Sequence, residues 1–183
     1  MILKNMICVA GFCLITLSGQ AAGKPEVPPY KDKTVSIEKR VDDLMGRMTL
    51  REKVLQLQNR GAGRLDEIDR IFNGESYGCT HEMGTTAAEC AAMYKELQQY
   101  MLTKTRLGIP IITSAEGIQG ILQNNCTLFP HALAQGSTFN PALIQRMTEA
   151  AGEEAKVIGI HQILSPVLDI ARELRWGRVE ETF

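Results

Sequence analysis

The sequence has almost no net charge. Its 20 Lys and Arg residues nearly balance its 21 Asp and Glu residues, which gives a net charge of -1 at pH 7. Proteins that bind nucleic acid or an anionic membrane surface rely on clusters of Lys and Arg, and no basic stripe stands out here. We therefore expect neither nucleic acid nor a membrane surface as a partner, and the composition leaves the oligomeric state open.

Cysteine and histidine are too few and too scattered to indicate a metal site or a disulfide framework. The cysteines after residue 22 are Cys79, Cys90 and Cys126, an odd number without a CxxC pair. The histidines are His81, His131 and His161, which lack the spacing of metal ligands. The sequence also has no complete dinucleotide-binding fingerprint. We expect no metal, no cofactor and a buried thiol at Cys90.

The sequence has no apolar run long enough for a membrane-spanning helix, which needs about 20 residues. Its longest run, Met6 to Leu17, follows a lysine and precedes the small residues of Ser18 to Ala22. This order is typical of a secretory signal peptide. We predict a signal peptide over residues 1–22, a solvated linker over 23–35, and a secreted protein, periplasmic or extracellular, without a membrane anchor.

Residues 36–183 carry local signals for several helices. Ser36 can cap one helix, and the capping boxes Thr49 to Glu52 and Thr86 to Glu89 each begin another. The helix after Thr86 is predicted to end at Gly108, with its buried face formed by Cys90, Met93, Tyr94, Leu97 and Met101. Residues 61–84 contain too many glycines to show any period, so no element is assigned there.

Two apolar runs predict buried strands. Ile109 to Thr113 is the first, and Ile160 to Asp169 is the second. Between them, Asn140-Pro141 begins a helix that Gly159 ends. Alternating buried strands and helices are typical of a parallel α/β fold, in which chemistry gathers in the loops after the strands. Residues 113–120 and 169–181 are therefore the candidate site loops.

Four segments in order resemble one family. They are "RMTLREKVLQLQ", "RLGIPIITSAEGIQG", "TLFPHALAQGSTFNPALIQRM" and "RELRWGRVEETF", and the resemblance that they carry extends over roughly residues 36–183. They resemble the N-terminal barrel domain of the family 3 glycoside hydrolases. The resemblance implies an α/β fold that is the N-terminal part of a (β/α)8 TIM-type barrel, and incomplete, because a whole barrel takes about 250 residues.

The same resemblance implies a retaining, exo-acting β-glycosidase, which is most often a β-glucosidase. Such enzymes use two carboxyl groups, one as nucleophile and one as acid/base. Both are expected beyond Phe183, so the chain is interpreted as a fragment or truncated reading frame that is inactive alone. Open alternatives are a β-xylosidase or β-N-acetylglucosaminidase of the same family, or a non-catalytic sugar-binding module. The expected partner is a β-linked oligosaccharide or glycoside.

Three residues align with sugar-binding positions of the family. Glu116 aligns with the acidic residue that accepts hydrogen bonds from sugar hydroxyls, and Arg178 with the sugar-contacting arginine. Gln119 stands where the family often has histidine, and its amide can still donate and accept. Glu116 has the alternative role of capping a helix or pairing with a lysine.

The other polar residues near the end of the sequence have predicted structural roles. We expect Arg172 and Arg175 to hold neighbouring carboxylates, and Trp176 to pack beneath its loop. Asp169 is a weaker site candidate with an equally acceptable structural role. Leu174 replaces the proline usual in the family. Together with Gln119 in place of histidine, this departure from the family pattern leaves the sugar preference open.

Overall fold

A computed structural model of the chain describes residues 27–81 and 85–182. The chain divides into two compact units, Met1–Leu44 and Met45–Phe183. The predicted signal peptide lies outside the described residues. Among those residues, no helix combines the length and the apolar character needed to cross a membrane.

In the first unit a short 3-10 turn, Pro29–Lys31, lies within the predicted linker. The Tyr30 amide donates to the Asp43 carboxylate at 3.1 Å, and its carbonyl accepts from Arg40 Nε at 3.1 Å. Both partners belong to α1, Ile37–Arg47. These bonds connect the turn to the first two turns of α1.

The second unit contains five further helices. They are α2 (Leu50–Leu55), α3 (Ile68–Phe72), α4 (Ala87–Lys104), α5 (Ala132–Gly136) and α6 (Pro141–Ile158). Both predicted capping boxes are present, because the hydroxyls of Thr49 and Thr86 accept from the amides three residues on. The Asn140 side chain caps α6, and Gly159 ends it in the left-handed region, as predicted.

Three short parallel strands form one sheet in the order β1-β2-β3. They are β1 (Cys79–His81), β2 (Ile112–Glu116) and β3 (Gln162–Leu164). His81 is in register with Ser114, and Glu116 is in register with Leu164. Helices connect the strands, as a parallel sheet requires. The predicted α/β rhythm is confirmed.

The core lies between the sheet and α4. Cys90, Met93, Tyr94, Leu97 and Met101, the predicted apolar face of α4, are all buried. They share one cluster with Ala115 of β2 and with Ala155 and Ile158 of α6. The prediction of a buried thiol at Cys90 is confirmed.

Several predicted boundaries are wrong. The first strand of the sheet, β1, lies in the segment left unassigned. β2 begins at Ile112 rather than Ile109, because Pro110 lacks an amide hydrogen and the first ladder bond runs from Ile112 to the Gly78 carbonyl at 3.0 Å. Residues 113–116 are therefore strand and not loop.

Two further elements are shorter than predicted. α4 ends at Lys104 and not at Gly108, because the Thr105 hydroxyl bonds back to the Met101 carbonyl at 2.5 Å and accepts the Gly108 amide at 3.2 Å. The strand predicted over 160–169 exists as β3, but it has only three residues, and its Gln162 and Leu164 are exposed rather than buried. β3 is an edge strand among the described residues, with a neighbour on one side only.

Candidate functional site

The candidate site lies where the parallel strands end. Glu116 is the last residue of β2, and the loop that follows leads to α5. Arg178 immediately precedes a 3-10 turn, Val179–Glu181, that packs near α5. Since the carboxyl ends of parallel strands share one edge of a sheet, the segment around Arg178 is brought to the edge that carries Glu116.

Glu116 projects from the face of the sheet opposite to the core. Along β2, Thr113 and Ala115 are buried at 0% and 1% exposure, and Ala115 packs against the helices. Side chains alternate between the faces of a strand, so Ser114 and Glu116 lie on the other one, which we call the open face. Glu116 is half-buried there.

The Glu116 carboxylate has no hydrogen-bond or ion-pair partner in residues 27–81 and 85–182. The alternative roles considered for it, a helix cap or a pair with a lysine, are therefore not seen in the described part of the chain. A half-buried carboxylate loses some hydration without a compensating bond. It is available to accept hydrogen bonds from a ligand.

Arg178 is held in a two-pronged ion pair. Its Nε and one terminal nitrogen donate to the two carboxylate oxygens of Glu181. This pairing raises the pKa of Arg178 above its ordinary value, and the charge of Glu116 adds to the effect. The same pair lowers the pKa of Glu181, with a smaller contribution from His131. Glu116 and Arg178, each predicted from the sequence to contact the sugar, thus interact electrostatically.

The loop after Glu116 has a fixed conformation. Gly120 adopts φ +100°, and a Cβ there would collide with the Thr127 carbonyl oxygen. The Gln119 carbonyl accepts from the Phe129 amide at 2.8 Å, which closes the loop. The Gln119 side-chain oxygen is buried and has no partner among the described residues. The described residues therefore leave the hydrogen-bonding capacity of this oxygen unsatisfied.

The segment that ends in Arg178 is largely exposed. Arg175 binds Glu173 at 2.7 Å, as the predicted carboxylate-holding role requires, and lowers the pKa of Glu173 to about 2. Trp176 is predicted to pack beneath its loop, but 41% of its surface is exposed, so the described residues cover it only in part. Asp169 is exposed. Neither Trp176 nor Asp169 has a described contact that joins it to Glu116.

Sequence reasoning missed one polar residue on the open face. His81 ends β1, and its Nδ1 lies 3.3 Å from Ser114 Oγ. The one sequence signal for His81 is that a glycine-rich segment ends in a short stretch whose residues change from apolar to polar. Three residues are too few to show a period.

A family model described as the glycosyl hydrolase family 3 N-terminal domain matches residues 49–183. The chain belongs to glycosyl hydrolase family 3. The predicted resemblance and the barrel-type fold class are therefore confirmed.

The relatives of this chain are named as enzymes for more than one substrate. The chain is 32% identical over 169 residues to a putative β-xylosidase of Formosa agariphila, covering 84% of this chain and 22% of that protein. It is 31% identical to a probable β-glucosidase C of Aspergillus oryzae, covering 85% of this chain and 28% of that protein. A periplasmic β-glucosidase/β-xylosidase of Dickeya chrysanthemi is 28% identical, with 85% and 27% covered.

A solved structure has a similar fold. The β-glucosidase of Erythrobacter marinus matches with a TM-score of 0.67 and 29% identity, over 84% of this chain and 21% of that one. The chain thus spans between about a fifth and under a third of the length of these family 3 proteins, 21% to 28%.

Proposed function

We propose that this chain forms the first part of the sugar-binding barrel of a retaining, exo-acting β-glycosidase whose preferred substrates are β-glucosides. The observation that carries the proposal is the half-buried Glu116 carboxylate, which lacks a protein partner in the described residues and lies within electrostatic reach of Arg178. Membership of family 3 supports it.

Glu116 and Arg178 have complementary tasks in this proposal. A carboxylate accepts hydrogen bonds from two adjacent sugar hydroxyls, which orients the ring before bond cleavage. The Arg178 guanidinium has five donors, and Glu181 occupies two of them. The remaining donors are available to a hydroxyl oxygen. Gln119 supplies a third polar group through its side-chain oxygen, which has no partner in the described part of the chain.

The nucleophile and the acid/base are not assigned to any residue of this chain. Retaining cleavage needs two carboxyl groups about 5 Å apart, one to attack the anomeric carbon and one to protonate the leaving oxygen. We keep the prediction that the isolated 183-residue chain does not hydrolyse aryl β-glycosides. Export to the periplasm or the medium is also proposed, supported by the apolar segment in residues 1–22 and by the periplasmic relative from Dickeya chrysanthemi.

β-Xylosides are the second candidate substrates. The relative from Formosa agariphila carries a β-xylosidase name, and the Dickeya protein carries both names. Xylose lacks the exocyclic hydroxymethyl group of glucose, and the proposal assigns none of Glu116, Gln119 and Arg178 to that group. β-N-Acetylglucosaminides and sugar binding without catalysis remain as outcomes of the test.

The test uses the natural polypeptide that contains this sequence. It is assayed with the 4-nitrophenyl β-glycosides of glucose, xylose and N-acetylglucosamine, and with the α-glucoside as a control. We expect the highest kcat/KM for the β-glucoside and a β-anomer as the first product in proton NMR. A higher value for the xyloside would move the assignment to the second candidate. An α-anomer as first product, or no turnover of any glycoside, would overturn the retaining β-glycosidase proposal.

A further inference from the structure

His81 lies on the same face of the sheet as Glu116. It is in register with Ser114, which precedes Glu116 by two residues on β2. Partners in register project to the same side of a sheet, and so do alternate residues of one strand. Strand spacing and rise place the Cα atoms of His81 and Glu116 about 8 Å apart. One sugar ring that touches Glu116 can therefore contact the imidazole.

The hydrogen bonds of Ser114 determine the tautomer of His81. The Ser114 hydroxyl carries a single hydrogen, which it donates to the Thr80 carbonyl at 3.0 Å. Its contact with His81 Nδ1 at 3.3 Å must then have the imidazole as donor. A neutral imidazole that donates from Nδ1 has its lone pair on Nε2. The network thus makes Nε2 a hydrogen-bond acceptor.

No partner occupies Nε2 among residues 27–81 and 85–182. His81 is half-buried, so protein atoms on one side limit its contact with water. An acceptor in this position gains from a ligand hydroxyl because its hydration is already incomplete.

The support beneath the imidazole is rigid. Ser114 is 4% exposed, and its carbonyl accepts a buried hydrogen bond from the Tyr94 hydroxyl at 3.1 Å. Tyr94 is itself buried in the core on α4. A polar group fixed through a strand and the core keeps its position when ligand is absent, which reduces the entropic cost of binding.

We propose that His81 is a sugar-contacting specificity residue, whose Nε2 accepts a hydrogen bond from a hydroxyl of the sugar that Glu116 binds. This inference rests on the proposed function and adds one contact to it. Ser114 is the positioning residue, because it acts on the sugar only by orienting the imidazole. The contact discriminates between sugars that carry the hydroxyl and sugars that lack it.

The central test compares His81→Asn with His81→Gln in the natural polypeptide. Asparagine retains a donor near the position of Nδ1 and removes Nε2, whereas glutamine carries its polar atoms out to the position of Nε2. We expect H81N to lower kcat/KM for the β-glucoside by about three- to tenfold, the value of one neutral hydrogen bond. H81Q should retain more activity than H81N. Equal kinetics of H81N and wild type would overturn the inference.

A set of monodeoxy β-glucosides separates contact from folding. If Nε2 meets one hydroxyl, wild type and H81N should differ with every substrate except the one that lacks this hydroxyl. A purely structural role would lower kcat/KM by the same factor for all of them, which would overturn the inference. Ser114→Ala should give a smaller loss with the same substrate pattern.

The tautomer can be observed without any substitution. In protein labelled with 15N-histidine, His81 should show a protonated Nδ1 and an unprotonated Nε2, and the Nε2 signal should shift when methyl β-glucoside is added. A protonated Nε2 would overturn the inference. If Glu116→Gln weakens sugar binding while H81N does not, the inference fails and the proposed function stands. If wild type binds no sugar at all, both fail.

Discussion

Arg178 donates two guanidinium hydrogen bonds to Glu181, whereas Glu116, at the end of β2, acts on Arg178 through its charge alone. The Glu181 pair satisfies part of the guanidinium and holds it in one orientation. Glu116 is therefore not neutralised by direct contact with the arginine. A carboxylate that lies near a cation without being hydrogen-bonded to it keeps its lone pairs for a ligand.

Replacing Glu116 with glutamine should weaken sugar binding strongly. Glutamine has nearly the same shape, but its amide loses the charge and half of the acceptor capacity. Hydrogen bonds to charged groups contribute about 1.5–3 kcal/mol, so we expect kcat/KM to fall by about 10- to 100-fold. Steady-state kinetics of the natural polypeptide give this value. Glu173→Gln is the matched control, because Glu173 is exposed and Arg175 is its one ion-pair partner among the described residues. Equal losses in the two variants would contradict the assignment of Glu116.

Replacing Arg178 with lysine tests the guanidinium rather than the charge. Lysine remains positive but cannot form the two-pronged bond to Glu181 and donate to a sugar hydroxyl in the same geometry. We expect about a tenfold lower kcat/KM for Arg178→Lys. Arg175→Lys provides the comparison, since that side chain is 89% exposed and binds Glu173. It should stay within about twofold of wild type. If Arg178→Lys also does so, Arg178 does not contact the substrate.

Local chemistry explains which parts of the fold could be predicted from the sequence. The capping boxes at Thr49 and Thr86 and the cap at Asn140 need only a side chain and an amide a few residues on, so a short stretch of sequence contains the whole interaction. The buried face of α4 follows from its period. These features depend on no distant partner.

Strand positions depend on partners that the sequence order does not reveal. β1 has three residues and exists because β2 pairs with it. The start of β2 depends on the carbonyl of Gly78, far away along the chain. Glu116 was predicted from the resemblance to family motifs, whereas His81 became a candidate only through its register with Ser114. Pairing of this kind is a tertiary property.

Gly120 should tolerate no side chain. Its φ of +100° is unfavourable for other residues, and a Cβ would collide with the Thr127 carbonyl. We expect Gly120→Ala to displace the loop that carries Gln119, and to reduce kcat/KM more than tenfold. Gly136→Ala is the control, because a Cβ at Gly136 meets no atom within 4 Å. It should leave activity unchanged and stabilise α5 slightly through helix propensity. Similar activity of the two variants would show that the Gly120 conformation is not needed.

An ion pair away from the site should control acid stability. Arg106 donates to both oxygens of Glu52 and also binds the Arg47 carbonyl at 2.9 Å. Glu52 in addition caps α2 through Thr49. The bonds from Arg106, followed by those from Thr49, lower the pKa of Glu52 from 4.5 to about 2. The pair joins α2 to the segment that follows α4.

The sign of the pH effect follows from this lowered pKa. The folded state holds the Glu52 proton less tightly than the unfolded state, so the stabilisation is complete above about pH 4.5 and is lost as the pH falls towards 2. Because the pair is partly exposed, we expect it to contribute about 1 kcal/mol to the free energy of unfolding.

Urea unfolding at pH 6 and pH 3 should show Glu52→Gln to be less stable than wild type at pH 6, with a smaller difference at pH 3. Glu89→Gln is the control, since Glu89 has the same capping role on α4 and no arginine partner among its described contacts. If both variants respond equally to pH, capping alone would account for the effect, and the Arg106 pair would not stabilise the fold.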